Sequence, residues 1–254
     1  MRRPLKINIE IFCIVVIVLV CSLIEIGCIG KKNIRRYLIE AARYEESSKY
    51  KKAIGVYRNA IDEYPRHAVL YHRLGYVYQL LNDFSHAEES YLKAIDNDNF
   101  LIDSYVNLSA LYFNEGLIRR GRNILEEALR VNPSAYYVHL NLAQILYVKG
   151  EVKKAIEHYH IALQLRKDDP VPCYNLGVIY FQDKSFGKAI QFLEMAIERD
   201  SSFCSAYELL GLIYEEKNDI EKAGWYWKKR ADYGKKSDPM TRLAAQHYRI
   251  LIRQ

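Results

Sequence analysis

Small residues recur along this chain at a constant interval of 34 residues. The first series contains only alanine and glycine: Ala53, Ala87, Gly121, Ala155, Ala189 and Ala223. The second series lies seven places later: Ala60, Ala94, Ala128, Ala162 and Ala196, with Arg230 in the sixth place. A large side chain stands between the two series in every round: Tyr57, Tyr91, Leu125, Tyr159, Leu193 and Trp227. An interval kept through six rounds without insertion or deletion indicates tandem structural repeats.

The other half of each round has its own apolar series. Leucines recur at Leu74, Leu108, Leu142, Leu176 and Leu210, each followed by a small residue. A further apolar position holds Tyr44, Tyr78, Tyr112, Leu146, Tyr180 and Tyr214. Apolar residues spaced by three, four and seven places predict two amphipathic helices in each repeat. Short segments such as 81–83 and 149–151 would join the two helices, and Pro65 and Pro133 would separate successive pairs.

This pattern resembles the tetratricopeptide repeat, in which an aromatic residue, Leu-Gly, Tyr, Ala, an aromatic residue, Ala and Pro stand at set places. The resemblance implies an all-α fold, a right-handed superhelical solenoid of six antiparallel helix pairs over residues 33–236. Residues 237–254 would form a capping helix, which makes about thirteen helices outside the N-terminal segment. Glu40 and Arg230 depart from the pattern in the first and last repeats, as terminal repeats commonly do.

The capping helix is expected to pack through one apolar stripe. That predicted stripe contains Met240, Leu243, Ala244, His247 and Leu251. Arg242, Arg249 and Arg253 would then point to solvent, so that the helix closes the stack with a charged outer face.

Residues 1–32 are predicted to be a membrane segment. Arg2, Arg3 and Lys6 precede a run that is apolar from Ile11 to Ile24 and mostly apolar over residues 7–29. A helix of the longer run would measure about 34 Å, enough to cross a hydrocarbon core of about 30 Å. We expect an uncleaved single-pass anchor with the repeats on the extracytoplasmic side. A cleaved signal peptide and a lipoprotein signal ending at Cys28 are the alternatives.

Charge and motifs argue against several classes of function. The surplus of lysine and arginine is confined to residues 1–36 and 228–254, while residues 37–227 are slightly acidic, so no nucleic-acid partner is expected. Neither a catalytic motif nor metal-ligand spacing is present, and Cys173 and Cys204 are expected to be buried packing residues. The chain is therefore predicted not to be an enzyme, and no cofactor, metal or small-molecule substrate is expected. His139 stands where other repeats have tyrosine, which predicts a packing role.

The resemblance also implies a binding surface, because the first helix of each repeat lines the concave groove of this family. One place on that helix holds Arg73, Asn107, Asn141 and Asn175, which resembles the asparagine ladder in the repeats of O-linked N-acetylglucosamine transferase. Side-chain amides both donate and accept, so they can pair with a peptide backbone of any sequence. Aromatic residues predicted to lie beside the ladder, outside the helix seam, are Tyr76, Phe113, Tyr137, Tyr147, Tyr174 and Phe181.

Two functions are consistent with these features. The chain is a membrane-tethered scaffold that binds an extended peptide or partner protein in the groove, or it is a structural assembly subunit of an envelope complex, docked by its convex face. The carboxylate clamp that some members use for acidic chaperone tails is not predicted here, since no three consecutive repeats supply its basic residues.

Overall fold

A computed structural model describes residues 34–235 and 237–251, and every regular element in these ranges is an α-helix. Helix α1 covers residues 34–46. It is followed by α2 (Tyr50–Glu63), α3 (Ala68–Leu80), α4 (Phe84–Asn97), α5 (Ile102–Asn114), α6 (Ile118–Val131), α7 (Tyr136–Val148), α8 (Val152–Leu165), α9 (Val171–Gln182), α10 (Phe186–Arg199), α11 (Cys204–Glu216), α12 (Ile220–Tyr233) and α13 (Pro239–Leu251). Helices α1 to α12 are six consecutive pairs, here called repeats 1 to 6, and α13 follows them. The predicted all-α fold and the thirteen helices are confirmed for the described residues.

The chain divides into two compact units, Met1–Leu111 and Tyr112–Gln254. In the first unit the buried core is built from the repeating alanines and tyrosines, for example Ala53, Tyr57 and Tyr91. In the second unit the same places are filled by Leu193, Ala196 and their equivalents. In both units most residues of the 34-residue series are buried, as the sequence predicted.

Glycine lets the two helices of a repeat approach each other closely. A Cβ atom added to Gly75 would lie 2.9 Å from a ring carbon of Tyr91, and one added to Gly177 would lie 2.7 Å from Leu193 Cγ. Both distances are too short for a real side chain, so the absence of a Cβ is what permits the contact.

The turn inside each repeat uses one residue in the left-handed backbone region. The residues with positive φ are Ser48, Asn82, Gly116, Gly150, Lys184 and Asn218, one in each repeat. The next residue donates its amide to a carbonyl five places earlier, as from Asp83 to Tyr78 and from Glu151 to Leu146, both at 2.9 Å. This closure satisfies a free carbonyl at the end of the first helix and gives every turn the same geometry.

The face that α13 buries differs from the predicted stripe. Thr241 and Ala244 are buried, whereas Met240 and Leu243 are 37% and 41% exposed, so the stripe was wrong at those two residues. The reason is Arg230, which is 5% exposed and donates to Thr241 Oγ1 at 3.0 Å. A buried guanidinium needs polar partners, and this requirement brings Thr241, rather than Met240, to the buried side of α13.

No helix within residues 34–235 and 237–251 has the length and apolar character that crossing a bilayer requires. The predicted anchor at residues 1–32 and the predicted lipidation residue Cys28 lie outside the described residues.

Candidate functional site on the first helices

The predicted groove residues all lie on first helices, and none of them is fully buried. Arg73, Tyr76 and Tyr137 are exposed. Half-buried residues are Asn107, Phe113, Asn141, Tyr147, Tyr174, Asn175 and Phe181. Arg73, Tyr76 and Asn107 belong to the first unit, and the other seven belong to the second.

The three asparagines of the ladder are not equivalent. Asn107 donates a hydrogen bond to the phenol oxygen of Tyr91. Burial raises the pKa of Tyr91, and the hydrogen bond from Asn107 offsets part of that rise. Tyr91 in turn donates to Gln79 Oε1 at 2.9 Å. Asn107 is therefore a member of a hydrogen-bonded chain inside the first unit.

Asn141 has no such chain to join. Leu125 occupies the place of Tyr91 in the next repeat, and leucine has no oxygen to receive an amide. Within the described part of the chain, no hydrogen bond uses the side chain of Asn141 or of Asn175. These two half-exposed amides, one repeat apart in the second unit, keep their full capacity to donate and accept.

Tyr147 connects neighbouring first helices of the second unit. Its hydroxyl donates to Gln182 Oε1, which joins α7 to α9. Burial raises the pKa of the Tyr147 phenol, so the hydroxyl stays protonated and remains a donor at neutral pH. Within the residues that the structure describes, no hydrogen bond uses the amide nitrogen of Gln182, so this exposed group can donate to a partner.

Two of the aromatic residues are engaged in packing more than the sequence suggested. Tyr174 and Phe181 both pack against the core of the second unit. The Tyr174 ring lies 5.4 Å from Phe203 and the Phe181 ring lies 6.1 Å from Phe186, centroid to centroid. Phe186 lies on the second helix of the same repeat, so the prediction that these side chains lie outside the helix seam was wrong for Phe181. Phe203 lies at the start of the next repeat, and both Tyr174 and Phe181 stay partly accessible.

Tyr137 belongs to a separate polar cluster. The Arg166 guanidinium lies 4.6 Å from the Tyr137 ring and 4.5 Å from the Tyr136 ring, and Arg166 Nη1 donates to the Tyr137 hydroxyl at 2.9 Å. Tyr137 is 46% exposed despite these contacts. The arrangement is an exposed aromatic surface with a cation already seated on it.

A pairing rule that the sequence analysis missed explains Phe113 and Phe181. In three of the four repeats whose second helix carries a donor, the first helix carries its acceptor: Tyr57 with Glu45, Tyr91 with Gln79 and Trp227 with Glu215. In the fourth of them, Tyr159 is matched by Tyr147. Where the second helix has Leu125 or Leu193, the first helix has phenylalanine in the acceptor's place. The signal was readable in the chain as a matched change at two places twelve residues apart.

His139 is buried, as predicted, but it has a partner that the sequence did not suggest. Its Nε2 donates to the Pro133 carbonyl at 2.8 Å, where Tyr71 and Tyr207 donate to the corresponding carbonyls of their repeats. Its Nδ1 lies 2.9 Å from His158 Nδ1. Burial, and then the proximity of His139, lower the pKa of His158.

Neither cysteine of the repeats adds a reactive site. Cys173 is fully buried, which raises the pKa of its thiol, whereas Cys204 is only half-buried, contrary to the expectation for that residue. Among the described residues no group of three His, Cys, Asp or Glu side chains is placed to hold a metal ion.

Comparison with known proteins agrees with this architecture. Tetratricopeptide repeat family models match residues 68–100, 108–170 and 172–203, which together are about half of the chain. BBSome complex member BBS4 of Bos taurus is 26% identical over 181 residues, covering 70% of this chain and 35% of that protein. Protein O-mannosyl-transferase TMTC3 of Homo sapiens is 28% identical over 177 residues, covering 66% of this chain and 19% of that protein. The chain thus spans about a third of the first relative and a fifth of the second.

Solved structures share the helical arrangement at low sequence identity. The type IV pilus biogenesis factor PilW superposes with a TM-score of 0.70 at 16% identity, covering 84% of this chain and 98% of that one. YrrB, described as a TPR protein with an unusual peptide-binding site, superposes with a TM-score of 0.54 at 23% identity, covering 75% of this chain and 97% of that one. At such identities the likeness concerns the fold alone. The matches to the repeat models, the six helix pairs and their glycine-dependent seams show that the chain belongs to the tetratricopeptide repeat family.

Proposed function

We propose that this protein is a non-enzymatic scaffold that binds an extended peptide of a partner protein on the first helices α7 and α9. The observation that carries the proposal is the pair Asn141 and Asn175, two half-exposed side-chain amides whose hydrogen-bonding groups are uncommitted. Polar groups of this kind at the surface of a repeat protein are available for a partner, since no internal bond would have to be broken.

The chemistry of this surface suits a peptide backbone with apolar side chains. Asn141 and Asn175 can each donate to a backbone carbonyl and accept from a backbone amide. The outer edges of Tyr174 and Phe181, and the half-exposed Tyr147, offer apolar contact beside them. Tetratricopeptide repeats are protein-interaction modules, and YrrB, which has the same fold, is described as having a peptide-binding site.

The proposed experiment first selects peptides from a random displayed library against the full-length chain, and then measures the affinity of one selected peptide by calorimetry. Each lost amide bond is worth about 0.5–1.5 kcal/mol, so Asn141→Ala with Asn175→Ala should weaken binding by about fivefold to a hundredfold. Asn107→Ala is the matched control, because its amide already serves Tyr91. A folded double variant with unchanged affinity would contradict peptide binding through these two amides. It would favour the alternative, an assembly subunit docked by its convex face.

The membrane tether is a separate part of the proposal. It rests on the apolar run at residues 7–29 and on the basic residues at both of its ends. The chain should remain in the membrane fraction after alkaline carbonate extraction and should keep its N-terminus, and the repeats should be cleaved by protease added from the extracytoplasmic side. A mature N-terminus after Gly30 would instead indicate a cleaved signal peptide, and a lipidated Cys28 would indicate a lipoprotein signal.

A further inference from the structure

The last two helices enclose a cavity of about 610 Å³ that no other part of the proposed function uses. Gly224, Trp225 and Lys228 of α12 form one side of the cavity, and Tyr248 and Leu251 of α13 form the other. Its volume is in the range of pockets that accept a small ligand or a few side chains of a partner.

Gly224 is the residue that opens this cavity. The other repeats hold a larger side chain at the same place: Ile54, Glu88, Arg122, Ile156 and Ile190. A Cβ atom added to Gly224 would meet nothing nearer than Tyr248 Cδ2, at 3.9 Å. Close packing therefore does not require glycine here, in contrast to Gly75 or Gly177.

Trp225 lies at the rim and is also specific to this repeat. The other repeats place a small or polar residue there: Gly55, Glu89, Asn123, Glu157 and Gln191. Trp225 is 52% exposed, with Lys229 Nζ 5.4 Å from its ring. Exposed tryptophan beside a concave surface is typical of contacts that a partner covers.

The α13 side of the cavity has the form of a helix-packing face. Ala245 and Tyr248 of α13 occupy the register of the small residue and the tyrosine of a first helix. In repeats 5 and 6 that tyrosine stacks on the second helix, Tyr180 on Phe192 at 5.5 Å and Tyr214 on Tyr226 at 5.4 Å. The half-buried Tyr248 lines the cavity instead. This face is therefore shaped to receive a helix.

The charges around the cavity indicate which kind of helix fits. The cavity is lined by Lys222 and Lys228 and by Asp219 and Glu221, and α13 adds Arg242 and Arg249 with no acidic residue. Asp219, at the mouth, already accepts the Lys222 amide at 3.2 Å and lies 3.5 Å from Lys222 Nζ. Within the described residues neither Lys228 nor Arg249 forms an ion pair. A second copy of this chain would bring the same basic surface, and its repulsion disfavours self-association here.

We infer that the cavity between α12 and α13 is a docking site for an amphipathic helix of a partner protein, with apolar side chains entering beside Trp225 and acidic residues facing Lys228 and Arg249. This site is independent of the amide pair on α7 and α9.

The experiment uses two synthetic 18-residue helical peptides that share one leucine and phenylalanine stripe, flanked by glutamate in one and by lysine in the other. The chain has two tryptophans and Trp227 is only 3% exposed, so a change in tryptophan emission on binding reports on Trp225. The glutamate peptide should shift the emission to shorter wavelength with saturation, and the lysine peptide should bind at least tenfold more weakly.

The decisive variant replaces Gly224 and Trp225 by the Ile-Glu pair that repeat 4 carries at Ile156 and Glu157. It should reduce the affinity for a labelled glutamate peptide at least tenfold, measured by fluorescence anisotropy. Asn141→Ala and Asn175→Ala, singly and together, should leave this affinity unchanged. These controls separate a failure of this site from a failure of the groove.

Several results would overturn the inference. Equal affinity for the two peptides, or a Gly224 and Trp225 variant that still binds with the circular dichroism of the wild type, would remove the docking site. Dimerisation in analytical ultracentrifugation that the variant abolishes would make a second copy the occupant. Adsorption to phosphatidylserine vesicles that Trp225→Glu reduces, without peptide binding, would make the surface a membrane contact.

Discussion

The guanidinium of Arg230 donates to the carboxylate of Asp238 at 2.7 Å from a position where Arg230 is only 5% exposed. The same guanidinium reaches Thr241 Oγ1 at 3.0 Å and Glu208 Oε2 at 3.3 Å. Its hydrogen bond is also the main reason that the pKa of Asp238 is lowered. In the other repeats alanine stands at this place, so this one substitution turns a packing position into the attachment point of α13.

Replacing Arg230 by alanine should loosen α13 while leaving α1 to α10 intact. The change removes the guanidinium that donates to Asp238, Thr241 and Glu208 and creates a cavity, so a loss of about 1–3 kcal/mol in the free energy of unfolding is expected. Hydrogen exchange should show faster exchange of the α13 amides. Arg242→Ala, on the exposed side of the same helix, is the control and should have little effect.

The glycine seam gives a second prediction with an internal control. Gly75→Ala should destabilise the protein by about 1–3 kcal/mol, because its Cβ would lie 2.9 Å from the Tyr91 ring. Gly55→Ala meets nothing within 4 Å and should stabilise its helix by about 0.5–1 kcal/mol. Chemical denaturation of both variants tests the pair, and equal effects would show that the helices are not held at this distance.

Asn107 and Asn141 should behave differently, although they stand at the same place in consecutive repeats. Asn107→Ala removes the donor to Tyr91 and should lower the free energy of unfolding by about 0.5–1.5 kcal/mol. Asn141→Ala removes no hydrogen bond within the described residues and should leave melting unchanged. Equal losses in thermal melting would mean that Asn141 has an internal role.

The histidine pair predicts a pH dependence of stability. The pKa of His158 is lowered in the folded protein, so the unfolded chain binds the proton first as the pH falls. The folded state should therefore have its full stability above the ordinary histidine pKa of about 6.5 and lose it below that value. His158→Gln should remove this contribution.

The comparison of wild type and His158→Gln must be made by difference, because burial also lowers the pKa of His72. Denaturant titrations at pH 7.5 and pH 5 should show a larger loss for the wild type than for the variant. The same loss in both proteins would show that His158 does not contribute to the pH dependence of stability.

The sequence alone determined the repeat architecture of this protein. Helix periodicity, the small residues at Gly75 and Gly177 and the aromatic residues between the alanines are local properties, and each is repeated six times or nearly so. Repetition strengthens a local signal, because a position that is always apolar must face the same kind of neighbour in every repeat. The helices, most of the buried residues and the placement of the candidate residues on first helices followed from this regularity.

The tertiary structure decided the features in which the repeats differ. Asn107 bonds Tyr91 of the preceding repeat, and Asn141 has Leu125 at the corresponding place. Asn175 has Tyr159 there and still forms no hydrogen bond within the described residues. Likewise, the buried face of α13 depends on Arg230, eight residues before Asp238 and on another helix. Hydrogen-bond partners and burial are properties of pairs of residues brought together by packing, and no periodicity along one chain specifies them.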